Sequence, residues 1–405
     1  MSSHTFHEIC GGVTAPEGFV AASAFCGIKE SNQDKPDIAL IYSPVPTVAA
    51  ATFTTNKVKA APVKVSLSRL RSPETRAIIA NSGNANACTG LAGIENAKRM
   101  TKAAAKALKI KEREIMVCST GRIGVPLPIE KMEATLAEMP KALLKDGSLK
   151  AARAIMTSDS FPKEVAVELE IGGKRIRIGG IAKGAGMIDP NMATMLAFVT
   201  TDAAISKKDL QRALSVAVEQ SFNRITIDGD MSTNDTVIML ANGLAQNDQL
   251  RPAQPEFKLF QEALNYVTCR LACLIVEDGE GVTKFVEINV KGAATYQDAR
   301  KAAEAVANSC LVKCAWYGGD PNWGRIMDAI GYSGARMREE LVDIYYDGLQ
   351  AVQNGMASNT PFEKLKEVVA NSKLTITIDL HIGSADYRVF TTDLTTKYVE
   401  FNMGE

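Results

Sequence analysis

Apolar residues alternate most cleanly along residues 165–178. Val165, Val167, Leu169 and Ile171 fall at every second position, Gly172-Gly173 intervenes, and Ile176 and Ile178 resume the period. A side chain that changes face at each step, broken by a two-residue glycine turn, predicts a β-hairpin. Short apolar runs at 38–42, 49–53, 76–80, 115–118, 195–199 and 224–227 predict further strands, with Pro44 and Pro46 separating the first two. More strands are expected near 342–347, 374–382 and 387–390. Helical periodicity marks 94–108, 129–145, 148–156, 206–222, 255–273 and 296–309. Ser148 is an expected cap, and Asp209 stands at the capping-box position of the helix opening at Ser206. Residues 313–325 read as a loop. Strands and helices alternate, so the pattern is that of an α/β chain.

The chain has 405 residues, enough for two or three domains, with 46% apolar and 23% charged residues. That composition argues against disorder. Lys+Arg and Asp+Glu both number 46. With no net charge, nothing global points to nucleic acid or an anionic membrane. No apolar run approaches the roughly 18–20 residues of a spanning helix. Residues 1–12 lack a basic segment followed by an apolar one, so a cytoplasmic protein is expected. Eight dilute cysteines, none in C-x-x-C, suit reduced thiols and give no metal site. Only His4, His7 and His381 are present, so the usual base for a hydroxyl nucleophile is scarce.

That scarcity changes the reading of residues 179–202. A glycine-rich run (Gly179, Gly180, Gly184, Gly186) passes through Asp189-Pro190-Asn191 to Ala193-Thr194 and then an apolar strand. A chain cut before Thr194 would create its own base, because the freed α-amine, with a pKa near ~8, sits on the residue that carries the hydroxyl. The plainer alternative is an ordinary threonine at the start of a strand. Elsewhere, the amide-rich loop 81–90 and the turn 119–124 follow strands, where hydroxyls and glycine amides can serve an anion or stabilise a turn. The acidic run 228–236 lacks the calcium-loop glycine (Thr233 stands there) and the closing glutamate (Met239). The acids at 277–281 make either a solvated turn or an anionic pocket for a cationic group.

Six longer motifs occur in order: NSGNANACTG at 81–90, STGRIG at 119–124, GIAKGAGMIDPNMATML at 180–196, TIDGDMSTNDTV at 226–237, EDGEG at 277–281 and LVKCAWYGGDPNWGRI at 311–326. Together they resemble the ornithine acetyltransferase family along essentially the whole chain. The resemblance implies a layered α/β/β/α sandwich with a smaller carboxyl-terminal α/β portion, at about 282–405. It implies self-cleavage between Ala193 and Thr194 into an α chain (1–193) and a β chain (194–405) that associate as α2β2. Thr194 would be the nucleophile, Thr120 and Gly121 the oxyanion hole, and Thr157, Lys183, Thr194, Glu280 and Asn402 the substrate contacts. The implied reaction is ping-pong acetyl transfer from N-acetylornithine to glutamate in arginine biosynthesis, with acetyl-CoA as a second donor and no cofactor. The family tail runs on through an aromatic to a terminal Thr or Ser, whereas here Asn402 is followed by Met403-Gly404-Glu405. Two other functions stay in view: a self-processing aminopeptidase or amidase of the related fold, and an unprocessed binding protein.

Overall fold

The computed structural model describes residues 6–29, 35–189 and 195–403, and it divides into two compact units. The first comprises Met1–Met187, Asn191–Asn223 and Asp230–Ile275; the second comprises Ile188–Pro190, Arg224–Gly229 and Val276–Glu405.

The first unit holds β1 (Phe6–Ile9), β2 (Val20–Ala24), β3 (Ile38–Phe53), β4 (Thr75–Asn81), β5 (Ile115–Ser119), β6 (Lys163–Ile171), β7 (Lys174–Lys183), β8 (Leu196–Thr201) and β9 (Thr236–Ala241). They pair in the order β1-β6-β7-β8-β9-β3-β4-β5, with β2 added to β3. β3 is one strand of 16 residues where two were expected. Its first half pairs with β2 and β4 and its second with β9. The register slips between Tyr42 and Thr47, so Pro44 and Pro46 occupy positions where no ladder N–H is required.

This bent strand lets the sheet fold into two facing layers. Ile41, Ile78, Met116 and Cys118 from one layer share a core with Ile181, Phe198, Ile238 and Leu240 from the other. Helices α1 (Ala61–Arg69), α2 (Gly90–Leu108) and α3 (Ile129–Glu138) cover the outer face of the first layer, where Val65, Met100, Ala104 and Met132 meet Leu40, Ile79 and Val117. α4 (Ser148–Ile155) buries Ala151 and Ile155 in the shared core. α5 (Lys207–Glu219) lies outside the other layer, where Gln211 bonds both backbone groups of Ala51 (3.0 and 3.1 Å). α6 (Pro255–Glu277) meets the same layer at Gly180, whose missing Cβ would lie 2.8 Å from Leu271 Cδ1. The result is the expected α/β/β/α layering. β8 and β9 are buried at all six positions, which accounts for their unbroken apolar sequence.

Several local expectations change. Helix 129–145 stops at Glu138 and tightens to a 3-10 turn containing Pro140. Ser148 does not cap its helix; its Oγ accepts from Val13 N–H (3.1 Å). Ser206 does cap α5, accepting from Asp209 N–H. α6 runs to Glu277, four residues past the expected 273, and by length and composition could cross a membrane, though half of its most apolar window is buried within the protein. Residues 225–227 form a single bridge, Ile225 to Phe390, in place of a strand.

The second unit is a six-stranded sheet in the order β13-β12-β11-β14-β10-β15, made by β10 (Phe285–Ala293), β11 (Asp343–Tyr346), β12 (Leu349–Gln353), β13 (Met356–Ala357), β14 (Lys373–Asp379) and β15 (Ala385–Thr392). α7 (Tyr296–Ala307), α8 (Cys310–Tyr317), α9 (Trp323–Tyr332), α10 (Phe362–Val369) and α11 (Thr396–Phe401) accompany it. α8 and α9 occupy much of the expected loop at 313–325. Ser309 and Asn322 cap them, and Val312, Trp316, Ile326 and Ile330 bury their apolar faces.

Candidate active site

In the first unit the candidate chemistry gathers at the ends of β4, β5 and β7. The amide-rich loop after β4 satisfies itself internally. Asn81 Nδ2 donates to Asn84 O (2.9 Å), Asn84 Oδ1 accepts from Asn86 N–H (2.8 Å), and Asn86 Nδ2 donates to Gly93 O (2.9 Å). Thr120 N–H donates to Asn81 O (2.9 Å), so any donor that Thr120 offers a ligand must be its hydroxyl. Gly121 has φ +128°, and a Cβ there would lie 2.3 Å from Gly83 C and 2.5 Å from Asn84 N. Glycine is therefore required where the two loops touch. Gly121→Ala is expected to cost about 1–3 kcal/mol of stability. If the Gly121 N–H is an oxyanion donor, the same change lowers kcat by ~10²–10³. Thermal unfolding and steady-state kinetics on one preparation check both.

Lys183 ends β7 and is only 2% exposed. Its Nζ donates to Thr157 Oγ1 (2.7 Å) and Thr120 Oγ1 (3.3 Å), which brings together three residues singled out from the sequence. Asp159, which the sequence reading passed over, organises them. It is buried and accepts from Lys163 Nζ (2.7 Å), Gly184 N–H (2.7 Å) and Thr157 N–H (3.0 Å), and it stands 4.0 Å from Lys183 Nζ. Burial alone would raise its carboxyl, but Lys183, Lys163 and the Gly184 amide hold it down at about 2. Lys29 donates to Met156 O (2.7 Å), and burial lowers its ammonium to about 8. Around one buried carboxylate there are thus two ammonium groups, with Lys29 nearby. That positive surplus suits an anionic ligand group such as an α-carboxylate.

Ala193 and Thr194 lie outside the described residues. The chain resumes at Met195, whose N–H donates to Asp235 Oδ1 (3.0 Å) and whose carbonyl accepts from Thr236 N–H (3.1 Å). Asn234 joins the same region from below, donating to Ala85 O and Ser119 O, both at 2.7 Å. These residues of the acidic run, which lacks the calcium-loop pattern, brace the site strands.

In the second unit Glu280 and Asn402 meet: Asn402 Nδ2 donates to Glu280 Oε2 (3.1 Å) and to Tyr398 O (2.9 Å). α11 is seated on the acidic turn at Gly281 (φ +67°), where a Cβ would lie 2.8 Å from both Lys397 Cβ and Tyr398 N. Thr395 Oγ1 donates to Gly281 O (2.8 Å). Asp189 belongs to this unit, and burial raises its carboxyl to about 6 against hydrogen bonds from Asn308 and Thr226. No metal-holding group of three His, Cys, Asp or Glu residues occurs among the described residues.

The ArgJ family profile matches residues 20–404. The chain is 49% identical over 394 residues to the arginine biosynthesis bifunctional protein ArgJ of Symbiobacterium thermophilum, covering 97% of this chain and 98% of that one. It is 46% identical over 407 residues to the glutamate N-acetyltransferase of Methanocaldococcus jannaschii, covering 97% and 98%. A crystal structure of the arginine biosynthesis bifunctional protein ArgJ from Bacillus halodurans superposes with a TM-score of 0.50 at 42% identity, over 51% of this chain and 98% of that chain. With a match that runs nearly end to end and relatives almost half identical, this chain belongs to the ArgJ family.

Proposed function

We propose that this chain is an N-acetyltransferase of arginine biosynthesis that cuts itself before Thr194 and moves acetyl from N-acetylornithine to glutamate. The observation that carries the reading is the convergence of Lys183, Thr157 and Thr120 beside Gly121, with Lys183 paired to Leu196 at the start of β8. The names of the relatives, a bifunctional arginine-biosynthesis protein and a glutamate N-acetyltransferase, support the same chemistry. The Bacillus halodurans chain supports the cut, since 98% of it covers only 51% of this chain, as a fragment such as 194–405 would.

In this mechanism the Thr194 amine takes the proton of its own hydroxyl as Oγ1 attacks the acetyl carbonyl carbon. The Thr120 hydroxyl and the Gly121 N–H stabilise the oxyanion. The C–N bond breaks, ornithine leaves with the proton, and an acetyl ester remains on Thr194. The glutamate amine then attacks that ester and restores the hydroxyl. Lys183 pairs with the substrate α-carboxylate. Acetyl-CoA is the proposed second donor, and the fragments 1–193 and 194–405 remain associated as α2β2.

The test is acetyl transfer from N-acetylornithine to glutamate, run with and without acetyl-CoA. N-acetylglutamate and ornithine should appear in equal amounts, with parallel initial-rate plots. Release of free acetate without N-acetylglutamate would overturn the reading in favour of a hydrolase.

A further inference from the structure

Lys29 is held where a lysine is costly. Burial lowers its ammonium to about 8 from an ordinary 10.5, and its Nζ donates to two backbone carbonyls, Met156 O (2.7 Å) and Pro36 O (3.3 Å). At about 8 the group still carries its charge at neutral pH. The buried Asp37 carboxylate is taken up by the N–H groups of Cys26 (2.7 Å), Ile28 (2.7 Å) and Lys29 itself (3.4 Å). Those bonds wind residues 26–29 around Asp37 and send the Lys29 side chain towards the site loops. A charge kept against a burial cost marks a place where local economy gives way to function.

The side chain runs between the two loops that carry the candidate site. Its stem lies against Gly83, where an added Cβ would stand 2.9 Å from Lys29 Cγ. Gly83 is also what Gly121 touches. The head of Lys29 holds the carbonyl of the Met156–Thr157 peptide, and the N–H of that same peptide donates to Asp159 Oδ2 (3.0 Å). A peptide is a rigid plane, so gripping it at both edges fixes the direction in which Thr157 leaves it. The Thr157 hydroxyl in turn accepts from Lys183 Nζ (2.7 Å). Ser82 Oγ already ties the two loops together through Ala154 O (2.6 Å), so what Lys29 adds is orientation.

We propose that Lys29 is a positioning residue for acetyl transfer. It clamps the Met156–Thr157 peptide opposite Asp159, and so turns the Thr157 hydroxyl and the Lys183 ammonium towards the substrate carboxylate. This rests on the acetyltransferase reading argued above. An ammonium suits the task, because it offers three donors on a long unbranched stem and its bonds to carbonyls are charge-assisted.

The experiment compares Lys29→Met and Lys29→Arg with the wild type in the acetyl-transfer assay, with thermal unfolding of the same preparations. Methionine keeps an unbranched stem against Gly83 and removes the donors. It should raise KM for N-acetylornithine and for glutamate, which share the α-carboxylate, by ~10-fold or more and leave kcat within about threefold of wild type. Lys29→Arg returns charged donors and should recover much of that loss. An unchanged KM in Lys29→Met overturns the proposal, as does a loss confined to kcat, or a Lys29→Arg chain no better than Lys29→Met. A Lys29→Met chain that does not fold makes the lysine a structural residue and overturns the proposal too. A wild-type chain that transfers no acetyl removes the acetyltransferase reading itself, an outcome distinct from each of these.

Discussion

A Thr194→Ala chain is expected to remain one uncut polypeptide of 405 residues and to transfer no measurable acetyl. Both losses come from one atom. The hydroxyl that would attack the Ala193 carbonyl to cut the chain is the one that would carry acetyl afterwards, and the base for the second task is released only by the first. The histidines are His4, His7 and His381, and Cys118 is fully buried with its thiol raised out of reach of ionisation by desolvation. Removing a nucleophile that acts together with its base typically costs ~10⁴-fold or more. Denaturing electrophoresis reads the cut, and the transfer assay reads the turnover. Thr194→Ser keeps an oxygen at the same place and should restore both in part. Transfer retained by the alanine chain would place the nucleophile elsewhere.

The sequence announced much of this arrangement through local signals. The hairpin of β6 and β7 follows from strict alternation and Gly172-Gly173, and its register pairs Ile171 with Lys174 across that turn. The α5 cap follows from Ser206 and Asp209. Where the reading failed, the deciding contacts are distant in sequence. Pro44 and Pro46 would break a strand only if the ladder needed an N–H at their positions, and the slip between β3 and β4 removes that need. Gly318, Gly319 and Pro321 suggest a loop over residues 313–325, yet they occupy only the turn between α8 and α9, whose apolar faces are buried in the sheet's core. The candidate site divides in the same way. Lys183, Thr157 and Thr120 stand in recognisable motifs. Asp159 gives no signal, and Asp235 reads only as one acid of the run 228–236, because a carboxylate among serines and threonines looks like surface. Only folding shows that one is surrounded by ammonium groups and the other stands against the start of β8. A faint signal existed in Asp159 and Lys163, an acid and a base four residues apart beside an apolar strand.

Replacing Asp159 should have the largest effect on stability. Asp159→Ala leaves Lys163, fully buried, without its counter-ion and removes the charge standing 4.0 Å behind Lys183. Breaking a buried pair by deleting one partner costs about 3–5 kcal/mol, because the surviving charge is stranded in low dielectric. The carboxylate also accepts the N–H groups of Thr157 and Gly184, so the loops carrying Thr157 and Lys183 should loosen together. Loss of acetyl transfer should therefore accompany the fall in unfolding midpoint. pH separates the charge from the packing. The folded carboxyl lies at about 2 against an ordinary 3.8, so its contribution is present above about pH 4 and is lost as pH falls towards 2. The amount at stake is about 2 kcal/mol, from the linkage between shifted ionisation and folding. Urea unfolding of the wild type should show that decline between pH 4 and pH 2, and the Asp159→Asn chain should lack this part of it. An Asn variant as stable as wild type at neutral pH would mean that the hydrogen bonds to Thr157 and Gly184, and not the charge, hold Lys183 in place.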